Sequence, residues 1–125
     1  MKNATNAINW FDLPATDLDR AVKFYSTIFD IEMQRMEGPG TQSAFFPMQP
    51  EGVGGALTQG DGYTPSASAG AVVFLNGGDD LSRALDKVEA AGGQIVQPKT
   101  GIGEHGYVAL FIDSEGNRVG LHSTG

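Results

Sequence analysis

The sequence predicts an α+β protein made of two β-α-β-β-β modules, and three observations carry that reading. A strand, an amphipathic helix and three further strands can be traced through residues 8–58 and again through residues 71–123. The two helix starts echo each other. Asp17-Leu18-Asp19-Arg20-Ala21-Val22 and Asp80-Leu81-Ser82-Arg83-Ala84-Leu85 share an acidic opening and the same apolar spacing, and an internal repeat outranks local propensity in choosing an architecture. The chain closes on a strand, a turn at Glu115-Gly116-Asn117 and a returning strand, within residues 105–123. Eighteen glycines in 125 residues, about twice the usual share, fit many short strands joined by turns.

Each element has its own signal. Residues 1–7 read as a loose tail, and residues 8–13 as a strand ended by Pro14, which lacks a ladder N–H. Thr16 is placed to cap a helix with Asp17 and Asp19 in its first turn; Leu18, Ala21, Val22, Tyr25, Ile28 and Phe29 face inward, and Asp19, Arg20, Lys23 and Thr27 face water. Asp30 stands where the chain must turn left-handed, which aspartate tolerates. Strands are expected over 31–36, 43–48 and 52–58, with a turn at 38–40. The Gly, Asp, Thr, Pro and Ser composition of 59–70 marks a linker between the modules 8–58 and 71–123. The second module repeats the scheme. Residues 71–75 form a strand, Asp79 and Asp80 open a helix that buries Leu81, Ala84, Leu85, Val88 and Ala91, Gly92-Gly93 stop it, and 94–97 begin the next strand before a loop at 98–104.

Composition excludes several partners. Eight basic against fifteen acidic residues give a net charge of −7, which opposes binding to nucleic acid or anionic lipid. Without cysteine there is no disulfide, thiolate nucleophile or cysteine-held metal. No stretch approaches the roughly 20 apolar residues of a membrane span or the pattern of a signal peptide, so a cytoplasmic location is expected. The glycines of 52–55 lack the lysine and hydroxyl residue of a phosphate-binding loop and are read as places of strand bending or close backbone approach.

The opening WFDLPATDLDRAVKFYSTIFDIEM and the closing YVALFIDSEGNRVGLHS resemble the corresponding segments of the vicinal oxygen chelate superfamily, which groups glyoxalase I, extradiol dioxygenases, fosfomycin-modifying enzymes and bleomycin-binding proteins. The resemblance spans residues 8–123. It implies a curved, partly open mixed sheet from two modules around a cavity, and a homodimer with the site completed at a subunit boundary. In metal-dependent relatives that cavity holds a divalent ion. The matched ligand positions fall here on Trp10, Ala71, Gly120 and a place within 56–58. None offers the histidine, glutamate or glutamine such a site uses, so no metal and no other cofactor is expected.

Other residues supply the candidate chemistry. Trp10 and Asp12 share a strand face; Trp10 can stack on a ligand or fill space, and Asp12 can hydrogen-bond, take a proton or pair with Arg118. His122 shares a face with Gly120 and Arg118 and is placed toward the cavity, where a ligand contact and a structural histidine are both open. His105 and Tyr107 sit among glycines as a cavity lip or as a plain hairpin loop, and Phe46 can line an apolar cavity or fill the core. Trp10, Asp12, Phe46, Tyr107, Arg118 and His122 form the expected ligand-binding set, with His122, His105 and Asp12 as the candidates for acid–base work. The expected function is a glyoxalase/bleomycin-resistance-like protein binding a small organic molecule in the inter-module cavity without the usual metal. Alternatives are a lyase, isomerase or dioxygenase acting on an oxygenated or electrophilic small molecule, and a non-catalytic sequestering or interaction protein. The sequence leaves turnover open.

Overall fold

The computed structural model describes every residue except Met1 and Ala4, so part of the predicted tail lies outside the described residues. The first module runs β1 (Trp10–Pro14), α1 (Leu18–Phe29), β2 (Gln34–Gly38), β3 (Thr41–Phe45) and β4 (Gly54–Gly60). The second runs β5 (Phe74–Asn76), α2 (Ser82–Leu85), β6 (Gln94–Gly101), β7 (Tyr107–Ile112) and β8 (Arg118–Ser123), with a 3₁₀ turn at Gly103–His105. Each module forms an open four-stranded sheet, ordered β1-β4-β3-β2 and β5-β8-β7-β6. In both, the strand before the helix pairs parallel with the last strand, and the remaining pairs are antiparallel. The two identical strand orders are the three-dimensional form of the repeat, and the predicted fold class stands.

Helix α1 begins one residue later than expected. Asp17, not Thr16, is the N-cap: its backbone is extended and its carboxylate accepts from the Arg20 N–H at 3.2 Å. The helix ends as predicted at Asp30, which takes the left-handed conformation at φ 53°. Phe24, absent from the predicted inward stripe, is fully buried. The reason is tertiary: α1 is covered on a second side by the other module, and the Phe24 ring lies 5.9 Å from that of Phe111 on β7.

Helix α2 holds only one regular turn. Beyond Leu85 the chain continues in mixed turns, with Lys87 and Val88 donating to carbonyls three residues back and Ala91 to one four back. Leu81, Ala84, Leu85 and Val88 are nonetheless buried as expected, because over two turns tight and regular helical geometry place the same side chains inward.

The helices and the faces of both sheets that they cover share one core, including Leu13, Leu57, Phe24, Tyr25, Phe111 and Leu121. A buried polar clamp joins the modules beside it. Glu115, in the closing turn, accepts from the backbone N–H groups of Thr16 at 2.9 Å and Asp17 at 2.7 Å, and from Arg20 Nε at 2.6 Å. One carboxylate thus satisfies free donors at the start of α1 and meets the positive end of its dipole. Arg20 keeps its expected exposed position, with its guanidinium reaching the buried carboxylate. Asp113 accepts from the Glu115 and Asn117 N–H groups, both at 2.9 Å, and from the Tyr25 hydroxyl at 2.7 Å; Asn117 Nδ2 donates to the Pro14 carbonyl at 2.7 Å. Gly116, at φ 94°, permits the turn.

Burial pushes the Glu115 carboxyl up, but the Arg20 hydrogen bond, the Asp17 N–H, Ser114 and the Arg20 charge together leave it below the usual glutamate range. Its folded pKa is depressed, so its stabilisation is present above the unfolded value of about 4 and is lost as pH falls through the lower folded one. Glu115→Gln is expected to cost about 1.5–3 kcal/mol at neutral pH, the worth of hydrogen bonds to a charged group, and to flatten the acid limb of stability against pH in urea titrations. Burial, then the Asp113 charge and hydrogen bond, raise the Tyr25 phenol well above its ordinary value. That contribution is present below the unfolded pKa of about 10 and is lost as pH rises beyond it. Alkaline unfolding of the parent protein should therefore show a loss of stability that Tyr25→Phe lacks.

Candidate functional site

Strand alternation divides each sheet into a helix-covered face and an uncovered one. On sheet β1-β4-β3-β2 the covered face carries Leu13, Leu57 and Ala44, so Trp10, Asp12, Ala56 and Thr58 lie on the other. There they meet in one cluster. Asp12 Oδ1 accepts from Trp10 Nε1 at 3.3 Å and from Thr58 Oγ1 at 3.1 Å, and Ser43 Oγ lies 3.1 Å from Thr58 Oγ1. The Trp10 ring packs edge-on to Phe45 at 5.7 Å while 40% of the residue stays exposed. Gly54 makes this possible, since a Cβ there would overlap the Met48 sulfur and press on the Trp10 ring. The glycines of 52–55 thus include one that serves close approach.

On the other sheet Leu75, Val119 and Leu121 face the core, leaving Phe74, Arg118, Gly120 and His122 uncovered. The shared face of Gly120, Arg118 and His122 is as predicted. His122 is half-buried, and its Nε2 donates to the His105 carbonyl at 2.6 Å. A carbonyl can only accept, so Nε2 carries the proton and only Nδ1 keeps a free lone pair. His105 itself is exposed, its imidazole 3.8 Å from the Glu104 carboxylate. Its backbone carbonyl holds His122.

The predicted ligand set is therefore divided. Trp10 and Asp12 come together; His122 and Arg118 stand on the second sheet, and Arg118 does not pair with Asp12. Tyr107 is in register with Ser123, on the opposite face from His122, and lies under Lys99 Nζ, 4.6 Å from the ring centre. Lys99 also binds Asp80, whose carboxyl is held down to about 2 by that bond and by the Ser82 N–H. Phe46 packs against Tyr25 and Phe11 and lines a separate cleft between the modules of about 560 Å³. Phe45 and Thr58 also belong to the uncovered faces, as do Ser43 and Phe74, to which the sequence assigns no site role. The signal for them is strand alternation: each lies next to Ala44, Leu57 or Leu75 in sequence and so faces away from the core once those are known to be core.

The matched metal positions do not fit a metal. Trp10 offers an indole, Ala56 a buried methyl, and Thr58 a hydroxyl already bonded to Asp12. Ala71 lies in the exposed stretch before β5. Gly120 lies beneath the Phe74 ring, which a Cβ at that position would overlap. Among the described residues no three histidine, aspartate or glutamate side chains converge on one point.

Two βαβββ modules, each an open mixed sheet, sharing one core and closed by an Asp-x-Glu-Gly-Asn turn, define a single class of small α+β proteins. The chain belongs to the Glyoxalase/Bleomycin resistance protein/Dioxygenase superfamily, whose family model matches residues 7–121. The "Putative glyoxylase CFP32" of Mycobacterium bovis is 30% identical over 118 residues, which cover 90% of this chain and 44% of that protein. This chain thus spans less than half of that relative. Among solved structures, a glyoxylase/bleomycin resistance protein/dioxygenase domain from Frankia sp. EAN1pec superposes with TM-score 0.73 at 18% identity, covering 98% of this chain and 94% of that one. Glyoxalase I from Zea mays gives TM-score 0.71 at 22% identity, covering 93% of this chain and 44% of its own. These likenesses establish the fold. Among the described residues no helix is long and apolar enough to cross a membrane.

The Phe74–Gly120 contact yields a test. Gly120→Glu should cost about 1–3 kcal/mol by overpacking. Gly120→Glu combined with Phe74→Ala should recover most of that loss. Calorimetric melting of both variants checks it, and equal melting temperatures would refute the proposed conflict.

Proposed function

We propose that this protein binds a small organic molecule, flat and largely apolar with at least one hydrogen-bond donor, against the uncovered face of the first sheet, and does so without a divalent metal. The observation that carries this is the pairing of the exposed Trp10 ring with the Asp12–Thr58–Ser43 cluster at the matched metal positions. An aromatic surface stacks on the body of a ligand, and Asp12 accepts its donor. Few convergent polar groups beside an aromatic wall are the usual make-up of such a site.

A second copy of the chain is the proposed cover. Trp10, Met36 and Phe74 on the uncovered faces are 40%, 56% and 50% exposed, and apolar side chains grouped on open sheet faces mark contact surfaces. The dimer would bring His122 or Arg118 of one subunit toward Trp10 of the other and complete the site. An enzymatic reading, supported by the glyoxylase name of the mycobacterial relative, assigns Asp12 as the base acting on an oxygenated substrate.

Trp10 is the only tryptophan, so its fluorescence reports on this face alone. Titration with aromatic and oxygenated small molecules, bleomycin and fosfomycin included, should find a ligand that changes the emission and whose affinity drops about tenfold in Asp12→Asn, the effect of losing one charge-assisted hydrogen bond. Stoichiometric uptake of Ni²⁺, Zn²⁺, Mn²⁺ or Fe²⁺ in calorimetry would overturn the metal-free reading. Light scattering should give twice the mass of one chain; a monomer at all concentrations would overturn the shared site.

A further inference from the structure

The cleft between the modules lies apart from Asp12, Thr58 and His122, and we propose that it is a second binding site, taking a molecule with an apolar body and one anionic head. Its volume of about 560 Å³ falls within the range of roughly 300–1,000 Å³ common to small-molecule pockets. Phe11, Ile28, Phe46 and Leu75 give it apolar walls, and Arg83 and Lys87 of the α2 region stand at its rim. Asp30 is the one acidic side chain among the lining residues.

The repeat shows what is missing there. Arg20 and Arg83 occupy matching places in the echoed segments 17–22 and 80–85. Arg20 is held by the Glu115 carboxylate, carried across from the β7–β8 turn of the other module. The connection that corresponds to this turn is the one between β3 and β4. It reaches the cleft with Pro47 and Val53 but brings no carboxylate to Arg83, and Glu51 within it does not line the cleft. The cleft is the clamp's repeat-mate without its anion.

Arg83 is instead paired with its helix neighbour Asp79 at 3.0 Å, with both side chains about three-quarters exposed at 74% and 73%. Such a surface pair is weak and is readily exchanged for a better partner. Lys87, one turn on, has no ion-pair partner among the described residues. In a chain of net charge −7 with only eight basic residues, two cations at the mouth of one apolar cleft select an anionic head group over a cationic one. A carboxylate on an alkyl or aryl body meets both demands, with its head taking toward Arg83 the role that Glu115 plays toward Arg20.

The test uses sodium decanoate below its micelle concentration, read by amide chemical shifts of the full ¹⁵N-labelled chain. Saturable one-to-one shifts are expected at Gly55, Leu75 and Ala84, with decyltrimethylammonium at least tenfold weaker. Arg83→Ala/Lys87→Ala, which alters only the rim, should weaken decanoate tenfold or more with the rest of the spectrum unchanged. Ala84→Phe, which narrows the cleft, should abolish binding if its spectrum keeps native dispersion. Equal affinity for the two amphiphiles, unchanged affinity in the double variant, or shifts confined to Trp10, Ser43 and Thr58 would each overturn the proposal. The last outcome leaves the first-sheet site intact, so the two proposals fail separately.

Discussion

The Glu115 carboxylate is the contact on which the arrangement of the two modules depends. It is buried, and a buried carboxylate is tolerated only when its lone pairs are met and its charge is opposed. Two backbone N–H groups at the start of α1 and the Arg20 guanidinium do both. Because those donors belong to the first module and the carboxylate to the second, satisfying the charge fixes how the modules sit. Asp113, Tyr25, Asn117 and the Pro14 carbonyl extend the same bridge. The apolar core supplies the larger driving force, but apolar contact is non-directional, whereas these hydrogen bonds admit one geometry.

The same clamp makes the two halves unequal. A perfect repeat would close both ends of the inter-module boundary alike. Here one end is filled by the Asp-Ser-Glu-Gly-Asn turn, and the other is left as a cleft with apolar walls and a basic rim. The uncovered sheet faces carry Trp10, Ala56 and Gly120, none of which offers a side chain able to hold a metal. At Gly54 and Gly120 the loss of a side chain makes room for an aromatic ring, Trp10 in the first module and Phe74 in the second. In both sheets a side chain added at the glycine would clash, with the Met48 sulfur and the Trp10 ring at Gly54 and with the Phe74 ring at Gly120.

Much of the fold was legible in the sequence because its signals are local. The alternation of strands, the helical stripe, the left-handed aspartate at position 30 and the Gly92-Gly93 stop each depend on a few neighbouring residues. Misreadings arose where a distant element intervened. Phe24 is buried by β7, Arg20 stays exposed as expected yet reaches Glu115 of the other module, and Thr16 yields the cap to Asp17 while its own N–H is taken by the Glu115 carboxylate.

Of the candidate site, the sequence could give faces but not distances. Alternation placed Trp10 with Asp12, and Gly120 with His122, because a strand repeats every two residues. It could not place Thr58 and Ser43 beside Asp12, since that follows from the parallel register of β1 on β4 and the antiparallel register of β3 on β4. Nor could it show Tyr107 turned to the opposite face under Lys99, or the His122 proton committed to the His105 carbonyl. The sequence by itself determined two modules and most of their elements, all functions of residue type and short-range spacing. Only the tertiary structure decided that Glu115 closes one end of the module boundary and leaves the other open, because that depends on a charge finding its donors nearly a hundred residues away.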